Sequence, residues 1–82
     1  MEFAPAAKRQ LTRLPDKVGA AVLEFAWGPL RSRPTVVGKP LRWDLEGHYA
    51  ARRGSWRIVY TLDIPRRAII ITRVAHRAHA YD

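Results

Sequence analysis

An α+β fold, with a helical hairpin packed on one face of an antiparallel sheet, is predicted by three observations. Apolar residues recur at helical spacing through the first third of the chain, and alternating, β-branched segments fill the second half. Between them the stretch "GPLRSRPTVVGKP", Gly28 to Pro40, carries prolines and glycines and has no period, which makes it a loop. The order read from these features is β-α-α-β-β-β, with the helices gathered on one side. The 82 residues form a single domain, 1–82. A chain of that length buries only about 60 to 65% of its extended surface, enough for one sheet and one pair of helices.

The elements follow in order. Glu2 between Met1 and Phe3 suits a short edge strand, and Pro5 offers a favourable first helical position. Ala7, Leu11 and Leu14 make one helical face, which Pro15 stops because it cannot donate and disfavours helical geometry at Leu14. Pro15 in turn opens a second helix. Its stripe is Val18, Ala21, Val22, Phe25 and Ala26, and Gly28-Pro29 is expected to end it. Strands are expected over Leu41 to Arg52, Ser55 to Ile64 and Ala68 to Val74, with turns at Arg53-Gly54 and Pro65-Arg66.

Charge speaks about partners rather than fold. The net charge is +8, which points to nucleic acid, an acidic protein, or both. From Gly47 onward every basic residue is an arginine, and all three histidines lie there too. Arginine's planar fork suits bidentate phosphate contact better than a lysine point charge does. A solvated cationic surface has the same composition. The lack of cysteine excludes disulfides and thiolate metal sites, and three scattered histidines make no zinc site, so no metal or cofactor is expected. The N-terminus has no export pattern, and the most apolar segment is broken by Glu24, Gly28 and Pro29. A cytoplasmic protein outside the membrane is expected.

A two-residue turn at Arg53-Gly54 would set Arg52 opposite Ser55, Ala50 opposite Arg57 and His48 opposite Val59. Ala51, Trp56, Tyr49, Ile58 and Tyr60 then share the apolar face that must cover the helices, so Trp56 and Tyr60 are assigned to the core. Arg57 projects from the other, open face, beside His48 and Arg52. A bulge at the turn would shift these pairs. Pattern alone does not separate a ligand-holding arginine from an ordinary one on a solvated sheet face. Trp27 and Trp43 are expected to seal the small core, with base stacking as the alternative.

Two segments, "LEGHYAARRGSWRIVYTLD" and "RVAHRAHAYD", resemble the RelE/ParE toxin superfamily. The first carries Gly54, Trp56, Arg57, Ile58 and Tyr60 in a G-x-[YW]-R-[IVL]-x-Y pattern, and the second carries Val74, His76, Arg77 and Tyr81 in a V-x-H-R-x-x-x-Y pattern. The likeness extends over nearly the whole chain.

The resemblance implies a toxin that cuts mRNA in the ribosomal A site without a metal, and is monomeric until a cognate RelB-like antitoxin silences it in a heteromeric complex. It implies that Arg57 contacts the reacting phosphate, that Arg77 stabilises or protonates the leaving group, and that Tyr81 stacks on or orients the substrate base. Where prototype members carry lysines on the preceding strand, this chain has His48 and Ala50. His48 could stand in as general base, since a histidine exchanges its proton near neutrality. His76 and His79 are alternatives; other branches use a Glu and His pair, and Glu46 lies nearby in the sequence, though strand alternation gives little reason to place it in the site. Arg52, Arg53, Arg73, His76 and His79 are the expected RNA-binding helpers. The competing reading on the same fold is a ParE-like inhibitor of DNA gyrase without nuclease activity.

Overall fold

The computed structural model describes residues 1–77. Strand β1 (Glu2–Phe3) leads into helices α1 (Pro5–Thr12) and α2 (Asp16–Phe25). After a π-helical turn over Ala26–Leu30 come α3 (Pro34–Val37), β2 (Lys39–Pro40), β3 (His48–Arg53), β4 (Trp56–Asp63) and β5 (Ala68–His76). The strand order is β1-β5-β4-β3-β2. All neighbours are antiparallel except β1, which runs parallel to β5 at the edge. The α+β class and the helix-covered sheet are those the patterns predict, with the mixed edge and the short α3 and β2 as additions.

The helical hairpin forms where its prolines direct it. Pro5 starts α1, Pro15 sits at the cap of α2, and Ala7 and Val22 are buried against the sheet. Gly28-Pro29, however, does not end the second helix. The Arg31 amide reaches back to the Ala26 carbonyl, a widened turn that accommodates a proline lacking its own donor. The gain is Leu30, which becomes fully buried, a side chain whose burial is worth about 1.5–3 kcal/mol.

From the sheet, Ala51, Ile58, Tyr60, Ile71 and Val74 complete the core. Where β1 ends, α1 takes over the edge of β5. The side-chain oxygen of Gln10 accepts a 2.6 Å hydrogen bond from the Val74 amide. Trp27 and Trp43 stay outside the core, at 48% and 89% exposure. Trp43 sits in a 3-10 turn with φ +62°, which carries it off the sheet, and Trp27 lies beneath the Arg31 guanidinium on the outer side of the π turn.

The β3–β4 hairpin differs from expectation by one turn position. Its loop is Gly54-Ser55, so Arg53 pairs with Trp56 and Arg52 with Arg57. Gly54 has φ +61° while Ser55 has no positive φ, which is the type II′ arrangement with glycine at the first loop position. Centring the turn on Arg53-Gly54 would have put arginine there. The register thereby moves by two, and each side chain keeps its predicted face while changing its neighbour.

Tyr60 anchors the region behind the sheet. Its ring stacks on Tyr49 and is fully buried, and its hydroxyl donates to the Pro34 carbonyl at the start of α3. Burial, reinforced by nearby Tyr49, pushes the phenol up to about 12. Unfolded, it would titrate near 10. The unfolded chain therefore releases this proton first, so stability is complete below about pH 10 and declines between about pH 10 and 12, by about 2–3 kcal/mol. Denaturant titrations over that range should show this loss, and Tyr60→Phe should flatten it. An equal slope in both proteins would refute the assignment.

Candidate functional site

The open face of the sheet follows from strand alternation. Across it, one row runs Lys39, Ala50, Val59 and Arg73, and the next runs Arg52, Arg57 and Ala75. Between Val59 and Tyr60 the β4–β5 ladder shifts, leaving Thr72 as the extra residue, with its hydroxyl bonded to the Val59 carbonyl. This bulge lets Ile71 and Ile69 face the helices while Arg73 and Ala75 face outward. Without it the two halves of β5 could not serve both faces.

Arg57 is half-buried at the middle of this surface, directly opposite Arg52. Arg73 on β5 and Arg77 just past its end stand on either side of Ala75, the β5 partner of Arg57. The ladder continues past β5 through a 2.8 Å bond from the Arg77 amide to the Ser55 carbonyl, which sets Arg77 beside the turn. Arg52 and Arg57 are thus like charges set directly opposite each other, a pairing that by itself costs stability. A depression of about 600 Å³ is lined by Lys39, Pro40, Ala50, Arg52 and Arg57, among others. Among the described residues, no three of His, Cys, Asp and Glu gather as metal ligands. What the face offers is cations around a floor of alanines.

Some predicted residues are not brought to it. Arg53 and His76 fall in the row of Trp56, on the helix side. His76 meets Trp56 edge to face at 5.2 Å, and Arg53 lines depressions with residues of α2. His48 keeps the open face, yet the register shift puts it opposite Thr61, four residues along β3 from Arg52. At about 3.3 Å per residue that is ~13 Å of strand, which sets His48 apart from Arg57 rather than beside it as the expected register had it. One of its ring nitrogens, Nδ1, is sealed from solvent with no partner among the described residues. Glu46 lies outside the sheet, beside Trp43. His79 and Tyr81 lie outside the described residues.

Lys39 falls in the segment Gly28 to Pro40, whose prolines and glycines predict a loop. Nothing periodic surrounds it, and only the pairing of β2 with β3 places it opposite Ala50.

The family described as ParE toxin of type II toxin-antitoxin system, parDE, matches residues 1–81. Toxin RelG of Mycobacterium tuberculosis is 46% identical over 81 residues, covering 99% of this chain and 93% of the relative. Toxin RelE of the same organism is 48% identical over 75 residues, covering 92% of this chain and 77% of the relative. The crystal structure of the toxin-antitoxin complex RelBE2 from M. tuberculosis contains a chain similar to this one with a TM-score of 0.88 at 46% identity, covering 93% of this chain and 94% of that one. A chain of the intact E. coli RelBE complex shares the fold at a TM-score of 0.73 and 19% identity, with 92% of each covered.

Proposed function

Because the chain belongs to the ParE toxin family of type II toxin-antitoxin systems, we propose that it is a RelE-type toxin that cleaves mRNA in the ribosomal A site. The observation that carries this reading is the convergence of Arg52, Arg57 and Arg73 on one open face, with Arg77 at its margin. Such a surface suits a phosphodiester whose charge grows in the transition state.

In the reaction the ribose 2′-oxygen attacks the adjacent phosphorus while the bond to the 5′-oxygen breaks. The products are a 2′,3′-cyclic phosphate and a free 5′-hydroxyl. A base takes the 2′ proton and an acid returns one to the 5′-oxygen. Arg57 holds the phosphate, Arg52 and Arg73 add charge around it, and Arg77 stabilises the departing oxygen. Tyr81, from the matching C-terminal motif, orients the base. With His48 about four residues along the strand from Arg52, the 2′ proton passes to a different group or to water.

The partner proposed is a RelB-like antitoxin, by analogy with the toxin-antitoxin complexes in which similar chains occur. An acidic or amphipathic segment covering the arginine face would neutralise it.

Primer extension on a translated message, with and without ribosomes, should give new 5′ ends only when the toxin is present, and co-purification with the product of the adjacent gene should suppress them. Intact message together with inhibited DNA supercoiling would replace this reading with gyrase inhibition.

A further inference from the structure

We infer that Lys39 supplies the cation that strand β3 lacks at Ala50, contacting a non-bridging oxygen of the same RNA phosphate that Arg57 holds. The inference rests on the RNA-cleaving reading above. Lys39 pairs with Ala50, so the two share the open face, and Ala50 in turn pairs with Val59, next in that row. Lys39, Ala50, Arg52 and Arg57 line one depression. Because position 50 carries only a methyl group, the four-carbon stem of Lys39 can lie across β3 with its ammonium towards the arginines. A long side chain at position 50 would occupy that path. Charge missing from one strand is thus provided by the strand beside it.

The backbone around Lys39 is held in place on both sides. Gly38 packs so closely on the Tyr60 ring that a Cβ there would lie 1.9 Å from the phenolic oxygen. Pro40, whose own φ is restricted by its ring, pairs with Tyr49. Lys39 is itself exposed, so its removal leaves the core untouched. A lysine held this way presents a point charge, which complements the forked guanidinium of Arg57 rather than duplicating it.

Two measurements on wild type, Lys39→Ala, Lys39→Ala with Ala50→Lys, and Arg57→Ala test the assignment. The first is the rate of message cleavage in a translating extract. The second is the salt dependence of binding to a short fluorescein-labelled 2′-O-methyl oligoribonucleotide, which cannot be cut. Lys39→Ala should slow cleavage about 10-fold or more, with an unchanged unfolding midpoint, and should reduce the salt slope by about 0.7, the contribution of one phosphate contact on a single strand. Ala50→Lys should restore most of the rate in the Lys39→Ala background. If wild type cleaves and Lys39→Ala cleaves equally well, the proposal fails while the RNA-cleaving reading stands. If wild type leaves message intact, that reading fails and the salt slope alone decides whether Lys39 meets phosphate, an unchanged slope overturning it. A reduced slope with undiminished cleavage puts Lys39 on a different phosphate and overturns its place beside Arg57. Failure of Ala50→Lys to restore the rate overturns it as well.

Discussion

Arg57→Ala is expected to reduce cleavage of translated mRNA by about 10²–10³-fold, the cost of removing one preorganised donor to developing charge, about 2.7–4 kcal/mol of transition-state stabilisation. The same change should leave the domain folded, because Arg57 lies on the open face of the sheet, outside the hydrophobic core. Loss of activity with the fold retained is the signature of a residue kept for its ligand. Arg57→Lys should recover part of the activity, because it restores charge without the bidentate fork. Toxicity and cleavage that persist in Arg57→Ala would remove the arginine face from the mechanism, and a collapse of the fold would assign Arg57 to structure instead.

The largest effect on stability is expected from a glycine. Gly38 has φ −100°, a conformation open to any residue, so its requirement is space. An added Cβ would meet the Tyr60 hydroxyl at 1.9 Å and the ring carbon that bears it at 2.7 Å. Tyr60 has nowhere to retreat, since it is fully buried and its hydroxyl is tied to the Pro34 carbonyl. Gly38→Ala should therefore cost about 1–3 kcal/mol, as overpacking does, which for a domain of this size lowers the thermal midpoint by about 4–8 °C per kcal/mol. Carried into a Tyr60→Phe background it should cost less, because the closest atom is gone, and the double-mutant cycle should be non-additive. Equal costs in both backgrounds would mean that the contact with Tyr60 is not why glycine stands there. Since Gly38 precedes Lys39, the variant should also weaken RNA binding beyond what its stability loss explains.

Much of the site was legible in the sequence because its strands alternate. Arg57, Arg52 and His48 were assigned to the open face, and Trp56, Ile58 and Tyr60 to the helix side, and the observed register keeps every one of them there. The neighbours were less legible. Placing the turn at Arg53-Gly54 set Ala50 against Arg57 and His48 two residues from it, whereas the type II′ geometry at Gly54-Ser55 substitutes Arg52 and moves His48 away. The helix boundary at Gly28-Pro29 was misplaced for a similar reason. Glycine and proline are local breakers, but burial of Leu30 carries the helix across them. Trp43 was expected to seal the core from its place at a loop–strand junction, and a left-handed backbone in a short turn exposes it.

By itself the sequence determined which residues share a face, where the helices begin, and which two motifs mark the family. These properties are local, resting on the two-residue period of a strand, the 3.6-residue period of a helix and the missing amide of proline. Only the tertiary structure decided what stands beside Arg57. Pairing across strands depends on turn geometry and on packing between distant segments, here Gly38 on Tyr60, and it is this contact that carries Lys39 out of an unpatterned loop to the edge of the arginine face.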